Sequence, residues 1–287
     1  MKDERCSPAF SLMTGGPFNR ILCRTGLADP LTGQLRMRAI LVLPLLLWLP
    51  VYLLTALSGH ANVPGLSLAF LSDYNVHGRL LFALPLMLLA EMLTERSMTP
   101  VSMRFRSNGL IPAASQSRFS EILMSTNRLR QAVWPELLLV AVVYVIGIGF
   151  MWRAIWAIDA GSWYRPAAGE AWPLSLAGYW YVLVSLPVFQ FVLCRWYVRL
   201  LIWFRFLWQV SGIPLALQPS HPDRRGGLGF LSTAINGFLM LAAALGAQLS
   251  GHLATEVFVF GQSLLSYKDV VLAMVLLVLA IMLGPLL

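Results

Sequence analysis

AILVLPLLLWLPVYLLTAL, residues Ala39–Leu57, runs for nineteen residues without a charge. A helix needs about 20 mostly apolar residues to cross the hydrocarbon of a bilayer, so this stretch alone predicts a membrane span. It follows a polar segment holding Lys2, Arg5, Arg20, Arg24, Arg36 and Arg38, too late and too polar for a cleaved signal peptide. The block therefore reads as an uncleaved first span.

Beyond it lie five more apolar blocks: Arg79–Leu93, Val133–Ala157, Leu174–Cys194, Leu228–Leu249 and Asp269–Leu287. The second is short, which predicts local bilayer thinning or snorkelling at its ends. Composition agrees, with 58% hydrophobic and 12% charged residues against about 45–50% and 25% in soluble chains. The expectation is an all-α integral membrane protein, a bundle of about six transmembrane helices. A cytoplasmic segment, 1–38, precedes a membrane domain, 39–287.

The net charge of +8 is spread over several short loops, the pattern of membrane orientation, and no nucleic-acid partner is expected. Six Lys and Arg lie in the N-terminal segment, six in the loop Glu95–Gln131 and five from Arg195 to Gly227. Only Arg79, Arg153, Arg165 and Lys268 lie in or beside the other loops. This asymmetry puts both termini in the cytoplasm of a bacterial cell, with the chain multi-pass in its inner membrane.

Trp152, Trp156, Trp163, Trp172, Tyr179 and Trp180 are expected in one interfacial belt, and Trp196, Trp203 and Trp208 in the other. Ala113–Arg130 and Arg195–Val210 are expected to be amphipathic helices along the membrane surface. Small residues every four positions, at Gly229, Thr233 and Gly237 and at Ala242, Gly246 and Ser250, predict close helix approach on two faces.

Charged groups inside a membrane are costly and therefore informative. Glu91, Glu136, Arg195, Arg199 and Asn236 fall at similar depth on the cytoplasmic side and form a candidate polar pocket for an ion or a proton relay. The bland reading of each is also strong. Glu136 follows Pro135 at a helix N-terminus, which favours negative charge, and the arginines can snorkel.

A second candidate lies in PSHPDRRGGLGFL, Pro219–Leu231. Here His221, Asp223, Arg224, Arg225, Gly226, Gly227 and Gly229 combine full charges with turning glycines, the parts of a site for an anionic headgroup or phosphate. The competing reading is a capping box of Ser220 and Asp223 with glycines that permit tight packing. His60, Asp73, His77 and His252 match no compact metal-ligand spacing. Cys6, Cys23 and Cys194 suggest neither disulfide nor zinc, no cofactor is implied, and no catalytic constellation appears.

The run Leu176–Tyr181 (LAGYWY), then Ser185–Pro187, Phe189–Phe191, Arg195–Tyr197 and Phe206–Trp208, leading to HPDRRGGLGFL and closing on Gly284–Leu287, resembles a family of uncharacterised bacterial polytopic inner-membrane proteins. The resemblance includes the early Gly15-Gly16-Pro17 and carries no activity. It implies a natural chain continuing beyond Leu287 into a basic cytoplasmic segment. Two functions are expected: a channel or transporter lined by the polar pocket, or a non-transporting scaffold binding anionic lipid or a protein partner. Oligomers are compatible with either.

Overall fold

Backbone polar groups in lipid must bond within their own segment, so a spanning chain of this type folds as helices. The computed structural model describes residues 16–29, 34–59, 68–98, 101–147, 149, 162–165, 174–217 and 222–283. It is all-helical in these regions apart from isolated bridges such as Leu68 with Ser162. The helices are α1 (Gly16–Arg24), α2 (Ala39–Leu57), α3 (Tyr74–Ser97), α4 (Val101–Ser107), α5 (Ala113–Gln131), α6 (Val133–Gly147), α7 (Leu176–Ser211), α8 (Gly229–Val259) and α9 (Leu264–Leu283).

Five of these are long and apolar enough to cross a membrane: α2, α3, α7, α8 and α9. Among the described residues a sixth span is reached if α5 and α6, bent by 44° between them, act as one. The multi-pass helical architecture expected from sequence is present. The later part of the third block, from Phe150 to Ala157, lies outside the described residues.

The second span is not short. It runs for 24 residues from Tyr74, because Asn75, His77 and Arg79, read from sequence as loop or border, belong to the helix. Asp73 caps it by accepting the Val76 amide at 3.2 Å, satisfying one of the donors a helix start leaves open.

The fourth block likewise does not stop at Cys194. Helix α7 continues for 36 residues to Ser211, about 54 Å at the usual rise. Arg195–Val210 thus prolongs a span, and its Trp196, Trp203 and Phe206 are buried. Leu201, Arg205 and Trp208, at helical spacing, keep the opposite face of this stretch exposed.

Helix α3 packs closely on α8. A Cβ on Gly78 would stand 2.9 Å from the Gly251 Cα, and one on Gly237 would overlap the Thr94 side chain. Gly237, Ala244 and Gly251, spaced by seven, share this buried face. Gly246, expected on a packing face, meets nothing within 4 Å.

Among the described residues, four helices carry a π-helical turn, at Gly78–Ala83, Val143–Gly147, Tyr181–Ser185 and Thr255–Val259. Helix α9 is the most peripheral of the described spans, largely exposed and packed mainly on α8.

Candidate functional site

The inner-side residues singled out from sequence meet where α3, α6 and α7 converge. Arg195 Nη1 lies 3.0 and 3.1 Å from the two carboxylate oxygens of Glu91. Arg199 reaches the same carboxylate at 3.4 Å, and Arg195 Nε stands 3.6 Å from Glu136. Arg195 and Arg199 are one turn apart on α7, so both address α3 from one face. Glu91, Arg195 and Arg199 are 7%, 3% and 6% exposed. The Asn236 side chain lies outside the described set.

Two members were missed in the sequence. Glu95, one turn beyond Glu91, is 5% exposed and lies in electrostatic reach of Arg199 and of Arg130 on α5. Three carboxylates therefore face three guanidiniums. The signal was available, since a second acid four residues on shares the helix face of the first.

Helix α1 closes the cluster from the side. The Phe18 amide donates to Glu136 at 2.9 Å, and the Arg195 guanidinium sits over the Phe18 ring, 4.9 Å from its centroid. Phe18 also packs on Phe191, and Leu22, Ala28 and Leu35 join the common core. The stretch read as a separate polar segment is in part a wall of the membrane domain.

A second polar cluster lies at the other end of the bundle. Trp163 Nε1 donates to Asp73 at 3.0 Å, and Trp48 Nε1 donates to His77 Nδ1 at 3.0 Å. Arg79 donates to the Tyr181 hydroxyl at 2.7 Å and to Asn75 at 3.2 Å. Trp163, expected in an interfacial belt, is 1% exposed and packs edge-on against Phe70, Tyr164 and Tyr181. Its indole has a carboxylate to satisfy, which holds it inside. Burial pushes the Asp73 carboxyl above its ordinary value, partly offset by the Trp163 and Val76 bonds.

Arg79 and Glu91 are roughly 18 Å apart along α3 at the usual rise. Between them Leu84, Met87 and Leu88 of α3, Phe189 and Val192 of α7 and Leu241 of α8 are each no more than 1% exposed. An apolar layer separates the two clusters.

The glycine-rich turn is organised around its own anion. The Asp223 carboxylate accepts the amides of Arg225, Gly227 and Gly229 at 2.9, 3.1 and 2.8 Å. Positive φ at Arg224, Gly226 and Gly227 turns these amides inward, and a Cβ on Gly229 would stand 2.9 Å from the carboxylate. The amides a ligand would need are thus engaged, while the Arg224 and Arg225 side chains remain exposed. His221 and Ser220 lie outside the described residues.

No protein-family model, curated protein or solved structure matches the chain.

Proposed function

We propose that this chain is a non-transporting membrane scaffold whose basic end binds anionic lipid. The carrying observation is the mutual pairing of Glu91 and Glu136 with Arg195 and Arg199. A transport site must exchange partners with its cargo, whereas these groups are engaged with each other, walled by Phe18 and backed by an apolar layer. The exposed Arg224 and Arg225 are free of that network and supply charge for headgroups. In this reading the Arg195 end is cytoplasmic, as the Lys and Arg distribution favours, and the membrane is the bacterial inner one.

The experiment reconstitutes the chain in liposomes and follows proton and anion flux beside co-purification of anionic lipid. The scaffold predicts flux equal to empty vesicles, and lipid retention that falls with salt and with Arg224→Gln/Arg225→Gln. Flux abolished by Glu91→Gln/Glu136→Gln would return the chain to the transporter class. Retention insensitive to salt would remove the lipid role.

A further inference from the structure

We infer that the groove between α5 and α7 holds the headgroup of a single anionic phospholipid, of the phosphoglycerol kind. This rests on the scaffold reading but concerns a different surface from Arg224 and Arg225. Two adjoining hollows of about 460 and 760 Å³ lie there, sharing Glu121, Ser125 and Arg205. Their charged lining is Arg118, Arg128 and Arg205 against Glu121, and all four are exposed. Three guanidiniums around one acid leave positive charge in excess, and the planar fork of arginine suits phosphate oxygens.

The oxygen of the Gln209 side-chain amide lines the same groove, shielded from solvent and without a hydrogen-bond partner among the described residues. A buried acceptor left without a donor is costly. A headgroup bearing hydroxyls beside its phosphate supplies that donor, while the phosphate meets the arginines.

The groove also lies at the depth of headgroups. Arg205 is roughly 44 Å along the axis from Leu176 at the helical rise, against about 40–45 Å for a bilayer with its headgroups. Trp134 and Trp208, 60% and 81% exposed, flank it, as tryptophans do at a membrane–water interface. Past Trp134, Leu137 and Leu138 are 61% and 54% exposed and offer an apolar track for acyl chains. Both leucines follow Trp134 on α6, which meets α5 at a 44° bend. A soluble phosphate would use the arginines but neither the track nor the tryptophans.

The full chain is placed in nanodiscs of mixed phosphatidylglycerol and phosphatidylcholine, released, and weighed by native mass spectrometry. Wild type retains one phosphatidylglycerol beyond any held by Arg224 and Arg225, and Arg118→Gln/Arg205→Gln lowers that added fraction at least about fivefold. Arg205→Lys, which keeps charge but loses the fork, gives an intermediate loss, and Gln209→Leu shifts retention toward phosphatidylcholine. Unchanged retention in the double variant overturns the groove, and if Arg224→Gln/Arg225→Gln still lowers retention the scaffold reading survives without it. Inorganic phosphate displacing the retained lipid at millimolar concentration would reassign the groove to a soluble anion and overturn the lipid.

Discussion

The two polar clusters share α3 and α7 but are built in opposite ways. At the Arg195 end, full charges are matched by full charges, and Phe18 closes the set. At the Trp163 end, each charged or titratable group is held by aromatic side chains: Asp73 by Trp163, His77 by Trp48, and Arg79 bonds the Tyr181 hydroxyl. The lesson is one of fault tolerance. Removing one ion from a buried matched set strands a full counter-charge, whereas removing one aromatic partner leaves a buried group short of a single hydrogen bond.

The largest expected effect is therefore at Glu91. Glu91→Ala leaves Arg195 and Arg199 without their shared carboxylate and should destabilise by about 3–5 kcal/mol, read as loss of folded protein in a denaturant titration in detergent. Glu91→Met/Arg199→Met should cost clearly less than the sum of its single changes. Additivity in that cycle would show that the two side chains do not act as a pair.

At the other end, Trp163→Phe keeps the ring but loses the bond to buried Asp73, an expected cost of about 1–3 kcal/mol by the same titration. A cost as large as that of Glu91→Ala would erase the contrast between the clusters. Trp48→Phe leaves His77 half-buried with an open acceptor, and should cost about 1 kcal/mol.

The smallest effect is a slope with pH. The Asp73 carboxyl is raised chiefly by burial, so its contribution is fullest below the unfolded value near 3.9. It is lost as pH rises through the folded value. Midpoints measured from about pH 4 to 7 should fall in wild type relative to Asp73→Asn. An identical slope in both would place the proton elsewhere.

The spans and the Arg195-end cluster were legible in the sequence because their signals are local. Ala39–Leu57 needs only length and apolarity, and Glu91, Glu136, Arg195 and Arg199 stand out as ions at matching depth. The Trp163-end cluster was hidden because Asp73, His77 and Arg79 look like loop or border residues when their partners, Trp163, Trp48 and Tyr181, are remote in sequence. The π-helical turns add to this, since the extra residue at Gly78–Ala83 rotates the later turns of α3 relative to its first. A single helical periodicity cannot place Arg79 and Glu91 on one face. The glycine turn carried both readings, the capping one the stronger, and the Asp223 bonds add weight to it.

Timing of synthesis is constrained by the pairing of Glu91 with Arg195, which lie 104 residues apart. At about 5–20 residues per second, the carboxylate of α3 leaves the ribosome roughly 5–20 s before its counter-ion exists. Until α7 is made, the Glu91 carboxylate of α3 therefore has neither Arg195 nor Arg199 to pair with.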